Sequence, residues 1–134
     1  MIEIKEILSK YKKIAIVGAS KDLTKTSTIV MKYLQKHGFK VHPVNPSMKN
    51  EKILNEIVYE KISDIKSPIE IVNVFRPSNE AVAIAKEAVK IGAKVLWLQL
   101  DITNEEARKV VEANNILYID DKCTKIEFEK LLNS

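Results

Sequence analysis

A single cysteine, Cys123, stands among 134 residues, so no internal disulfide can form and the fold must rest on burial alone. Three glycines and four prolines exclude collagen-like and low-complexity material. No apolar run approaches the ~18 residues needed to cross a bilayer; Val95-Leu96-Trp97-Leu98 is representative of the longest. Arginine is scarce, at Arg76 and Arg108 only, and no basic run with interleaved aromatics appears, so nucleic acid is not an expected partner, and neither is a membrane. At the N-terminus Glu3, Lys5, Glu6 and Lys10 interrupt the apolar residues, so no leader peptide is expected and the chain is read as cytoplasmic. What is present is 46% apolar and 30% charged, the balance of one globular domain spanning residues 1–134. A chain of this size buries about two thirds of its unfolded surface and needs no structural metal.

Charge is unevenly placed. Residues 1–52 hold eleven lysines against four acids, whereas the remainder is weakly acidic, so the N-terminal half suits a polyanionic ligand. Ile4, Ile7, Leu8 and Tyr11 recur at helical spacing. Ile14-Ala15-Ile16-Val17 is a largely β-branched run ending at Gly18, which reads as a strand buried on both faces. A helix is expected over 27–37, capped by Thr26 or Ser27, followed by a second strand over 40–45. Residues 47–69 show no clear period. Strands over 70–75, 94–98 and 115–119 then alternate with helices, two of them opened by the capping boxes Thr103/Glu106 and Thr124/Glu127. The pattern predicts a doubly wound α/β domain with a five-stranded parallel sheet in the order 3-2-1-4-5. Pro43 resists this reading, because its missing N–H removes a ladder bond inside a strand.

Ligands of such sheets lie at the carboxyl ends of the strands near the switch point. The first loop brings Gly18, Ala19, Ser20, Lys21 and Lys25 to a helix start at Thr26 and Ser27, a natural phosphate site. It is not a dinucleotide fingerprint, since Ser20 and Leu23 stand where G-x-G-x-x-G requires glycine. Asn45 and Pro46 stand where a carboxylate would read a free ribose, and Lys49 is near, so NAD is disfavoured against NADP or a 3′-phosphorylated nucleotide such as coenzyme A (CoA).

Ile14-Ala15-Ile16-Val17-Gly18-Ala19-Ser20, Val44-Asn45-Pro46, Val74-Phe75-Arg76-Pro77, Gly92 to Gln99 and Asp121-Lys122-Cys123 ahead of Ile126-Glu127, in that order, resemble the small single-domain CoA-binding proteins. These are stand-alone relatives of the CoA-binding domain in the α subunit of succinyl-CoA synthetase. The resemblance covers the chain from about Tyr11 to Glu127 and implies a Rossmann-like domain that binds CoA or an acyl-CoA through the first loop and the turns after strands 2 and 3. Phe75, Arg76 and Pro77 enter the candidate site with that third turn. The synthetase's phosphate-carrying histidine domain has no counterpart in 134 residues, so the resemblance does not carry ligase activity by this chain alone.

Several residues admit two uses. Arg76 suits a bidentate phosphate contact or an ion pair with Glu80 one helical turn on. Asn45-Pro46 is also an ordinary turn, Trp97 reads as core, and Gln99 suits either ligand contact or capping. Cys123 precedes a helix start between Lys122 and Lys125, an environment that activates thiols and would allow a mixed disulfide with CoA; burial is the commoner fate. His37 and His42 have no partner suggesting catalysis, and no metal-ligand cluster is legible, so no catalytic residue or metal is assigned. The alternatives are an NADP-dependent oxidoreductase and the nucleotide-binding subunit of a two-chain acyl-CoA synthetase.

Overall fold

The β-branched run near the head of the chain folds as β1 (Lys13–Val17), preceded by α1 (Ile4–Lys10), in a computed structural model that describes residues 3–133. Ile14, Ala15 and Ile16 are fully buried, as an apolar strand inside a parallel sheet must be. α2 (Thr26–Lys36) and β2 (Lys40–Val44) follow. After a short hairpin of β3 (Lys52–Ile53) and β4 (Glu56–Ile57), strands and helices alternate: β5 (Ile71–Val74), α3 (Ala81–Lys90), β6 (Val95–Leu98), α4 (Glu105–Glu112), β7 (Leu117–Ile119) and α5 (Thr124–Leu132). Five strands form one parallel sheet in the order β2-β1-β5-β6-β7.

Helices α1, α2 and α5 cover one face over Ile16, Met31, Leu34 and Trp97, while α3 and α4 cover the other over Ala15, Val72, Leu96 and Val111. Ala81, Ala85 and Ala88 turn a methyl-thin face of α3 to the sheet and are wholly buried. Trp97 is core, as expected, and its Nε1 donates to the Lys122 carbonyl at 2.8 Å. No helix among the described residues is long and apolar enough to cross a membrane.

The expected 3-2-1-4-5 order appears with one reassignment. Beyond β2 the chain adds a single parallel bridge, Val44 to Tyr59, in which Tyr59 N donates to Pro43 O and Asn45 N donates to Tyr59 O. Counting this rudiment as the third strand, the segment expected third, 70–75, takes the fourth position as β5, directly beside β1, and β7 is a sixth. Pro43 explains why the outer strand is so short. Its carbonyl faces Tyr59, so its nitrogen faces the same side, and the proton that would extend the pairing is missing. Inward, β2 keeps a full register with β1.

Two expected helix starts shift by one residue. Asn104, not Thr103, caps α4, its Oδ1 accepting from Ala107 N at 2.9 Å while Nδ2 donates to Ser78 O at 2.9 Å. Cys123 occupies the cap position of α5, and Thr124 N donates instead to Gln99 Oε1 at 3.1 Å. Thr124 thereby joins a buried network. Its hydroxyl donates to Asn73 Oδ1 at 3.0 Å, and Asn73 Nδ2 donates to Gln99 Oε1 at 3.1 Å and to Trp97 O at 3.3 Å.

His42, on β2, is 6% exposed, with Nε2 unpartnered and its ring edge-on to Tyr59. Burial holds its pKa below the ordinary 6.5; Glu56 opposes that shift and Lys40 adds to it. The unfolded chain takes up a proton that the folded chain resists, so this contribution to stability is complete above 6.5 and is lost as pH falls through that value. Urea midpoints should therefore drop between about pH 7.5 and about pH 5.5, and drop less in His42→Leu. An equal drop in both proteins would assign the pH dependence to other groups.

Candidate functional site

Three turns at the carboxyl edge of the sheet are tied together by backbone bonds. Gly18 N and Ala19 N donate to Val44 O at 3.0 and 3.2 Å, and Phe75 N donates to Val17 O at 2.8 Å. Asn45 locks the first two turns. Its Nδ2 donates to Ala19 O at 2.8 Å, while Oδ1 accepts from Ser47 N at 2.9 Å and Ser47 Oγ at 2.8 Å. At φ +96°, Gly18 adopts a conformation that disfavours side chains. A Cβ there would lie 3.0 Å from both Phe75 O and Arg76 Cδ, so the first and third turns touch only because the residue is glycine.

The first loop is self-braced. Ser20 Oγ accepts from Asp22 N at 3.0 Å, and Asp22 Oδ1 accepts from Thr24 N and Thr24 Oγ1 at 2.9 and 2.6 Å. Those Thr24 bonds, helped by Lys25, hold the Asp22 carboxyl below its usual range. Helix α2 then starts without a side-chain cap. Its cap position is Lys25, whose side chain cannot accept a hydrogen bond, and the expected caps Thr26 and Ser27 are already helical. No acid lies in the first turn of α2. The positive end of the helix dipole therefore meets no acidic side chain in the first turn.

A cleft of about 360 Å³ opens over this start and gathers Gly18, Ala19, Ser20, Lys25, Thr26, Ser27, Asn45, Phe75 and Arg76. Beside it, sharing Gly18, Asn45 and Arg76, lies a larger slot of about 590 Å³. Val17, Val44 and Pro46 line it from the sheet edge, Glu60, Lys61 and Ile62 from one wall, and Glu80, at the cap position of α3, with Ala83, Ile84 and Glu87 of α3 from the other. Together the two cavities follow the crevice where the strand order reverses.

Nine of the expected site residues therefore line the smaller cleft, and Pro46 lines the larger. Lys21, Lys49 and Pro77 line neither. Lys21 pairs with Glu51, and Lys49 with Glu60 at 3.5 Å, so both cations brace the 46–61 excursion. Arg76 makes the ion pair weighed from sequence, Nε and Nη2 donating to Glu80 at 3.0 and 2.7 Å. The paired hydrogen bonds raise the Arg76 pKa and lower that of Glu80, so both stay charged. Exposed charge pairs of this kind contribute little stability, and Arg76 lines both cavities.

Sequence reasoning missed the 60–62 wall and the α3 face. The second had a visible signal, since Glu80, Ala83, Ile84 and Glu87 recur at helical spacing. Gln99 takes the capping role, at α5. His37 stacks on Tyr33, away from both cavities. Of the two uses weighed for Cys123, the structure shows burial: it is 6% exposed and packs in the core cluster that contains Trp97 and Phe128.

Residues 12–129 match the family described as CoA binding domain. The chain is 38% identical to the uncharacterized protein YneT of Bacillus subtilis (strain 168), over 92% of this chain and 90% of that protein. A hypothetical protein from Pyrococcus horikoshii OT3 superposes with a TM-score of 0.92 at 40% identity, covering 96% of this chain and 89% of the other. An ADP-forming acetate–CoA ligase of Methanocaldococcus jannaschii is 32% identical over 65% of this chain, which spans 12% of the ligase.

Proposed function

The chain belongs to the CoA-binding domain family, and from that premise we propose that it binds coenzyme A, free or acylated, across the two joined cavities. The observation that carries the reading is the start of α2: uncapped, free of acids, headed by Lys25 and opening into a cleft bordered by Arg76. Backbone N–H groups there suit the pyrophosphate, with Ser20, Thr26 and Ser27 beside them. The apolar slot of Val17, Val44, Ile62 and Ile84 suits the adenine ring. Asn45 occupies the place of a ribose-reading carboxylate and spends its side chain on Ala19 and Ser47, so a ribose that carries phosphate meets no opposing charge there. Lys61, at the end of the 46–61 excursion and on the wall of the larger cavity, supplies a cation for that phosphate.

A second reading shares this site and adds a partner. The segment matching the acetate–CoA ligase is a small fraction of that enzyme, which supports a role as a CoA-holding subunit for a chain that carries the remaining domains. We assign no catalytic residue to this chain, and cytoplasmic placement belongs to the same proposal.

Thermal unfolding with CoA, NADP and NAD tests the reading. At a CoA concentration about 100 times its Kd, mass action adds about 2.7 kcal/mol, which raises Tm by several degrees. NAD at equal concentration should leave Tm unchanged. An equal shift with NAD or NADP would overturn the assignment to CoA.

A further inference from the structure

We propose that His42 makes ligand binding proton-dependent: the site holds CoA while this imidazole is neutral, and its protonation detaches one wall of the larger slot; the coupling rests on the CoA reading above. His42 touches both sides of that slot's construction. Val44, one pleat further along β2 and therefore on the same face of the sheet, lines the slot, and Asn45 and Pro46 follow it there. On the other side the His42 ring packs edge-on against Tyr59, with ring centroids 6.1 Å apart. The Tyr59 backbone is clasped to the end of β2, its N–H donating to Pro43 O at 3.0 Å and its carbonyl accepting from Asn45 N at 2.9 Å. The next residues, Glu60, Lys61 and Ile62, are the wall itself. Because this parallel bridge is one residue long, a displacement of Tyr59 displaces the wall.

The ring cannot hold a second proton where it stands. Its Nε2 is buried without a partner, and an imidazolium carries an N–H on both nitrogens. A charged donor buried without an acceptor keeps its full desolvation cost, which the ring relieves by turning out past Tyr59 into water. The charged groups that act on it are Glu56 of β4, which favours the imidazolium, and Lys40 of β2, which opposes it; the two pair with each other at 3.8 Å, and burial outweighs the attraction of Glu56. From β1 its register partner is the apolar Ala15. The pKa of His42 accordingly lies below 6.5 in the folded chain. A wall that requires the neutral ring makes affinity fall as pH falls through that pKa, and by reciprocity bound CoA lowers the pKa further.

Calorimetry with CoA at about pH 7.5 and about pH 5, on the parent and on His42→Leu, tests the coupling, since the ligand's own phosphate and the exposed carboxylates protonate alike in both proteins. Over that interval the parent should lose about fivefold more affinity than the variant, within the limit of about tenfold per pH unit set by one proton. At the upper pH the two should bind CoA within a few-fold of each other, and circular dichroism at the lower pH verifies that both are folded. Proton NMR of the parent needs no change at His42. The chain has two histidines, and the ring resonance lost in His37→Gln leaves the other assigned to His42. Saturating CoA should move the His42 titration midpoint down and leave that of His37 in place. Equal losses of affinity in parent and variant, or a His42 midpoint that CoA does not move, overturn the proposal. Failure of the parent to bind CoA at the upper pH is a separate result, removing the CoA reading and this coupling together.

Discussion

Gly18→Ala should unfold the protein about 2–3 kcal/mol more easily and weaken CoA at least tenfold. Two separate penalties meet at this residue. The left-handed backbone costs a side-chain-bearing residue roughly 1–2 kcal/mol. The new methyl also arrives 3.0 Å from the Phe75 carbonyl and from Arg76 Cδ, so the third turn must retreat from the first. That retreat moves Arg76 and the floor shared by both cavities. Gly38→Ala separates the two penalties, because Gly38 also has positive φ, at +88°, but a Cβ there meets nothing within 4 Å. Urea denaturation should show the Gly38 variant losing only the backbone part, with CoA affinity retained in calorimetry. Equal losses in the two variants would show that the contact between turns contributes nothing.

Asn73→Leu should be the most damaging near-isosteric change in the sheet, with a loss of about 2–4 kcal/mol. Asn73 sits fully buried on β5, and removing its amide strips Thr124 of an acceptor and Gln99 of a donor. Each group left behind keeps its desolvation cost without its bond. Thr124→Val removes one hydroxyl from the same network and should cost about 1–2 kcal/mol. The double variant should lose less than the two single losses combined, since both act on the same bonds. Additive losses in a double-mutant cycle would mean that the groups act independently.

The strands and helices that bear the site were legible because each had a local cause. β1 announces itself by β-branched residues ending at Gly18, and the start of α2 follows from the distance between that strand and Gly38. The location of Asn45 was equally plain, but its task was not, because holding Ala19 and Ser47 in place is a relation between segments. The 46–61 excursion escaped for a different reason. Its hairpin turns on Leu54 and Asn55, both at positive φ, where Asn-Gly would be the recognisable pair. Its return to the sheet is one residue long, too short for any period to register. That gap in turn misplaced β5 by one position and hid the wall formed by residues 60–62. Ion pairs such as Lys21 with Glu51 depend on the same excursion and have no signature in sequence spacing.

Pro43 also bears on how copies of this protein behave when crowded. Every open sheet has two borders where a stray strand from another molecule can attach and begin a fibril. Here one border offers a carbonyl without its matching donor at Pro43, and Tyr59 already claims that carbonyl. The opposite border, β7, is only three residues long. Neither side presents an unbroken row of donors and acceptors for an incoming chain. The proline that shortens the outer ladder therefore also protects the molecule against edge-to-edge aggregation.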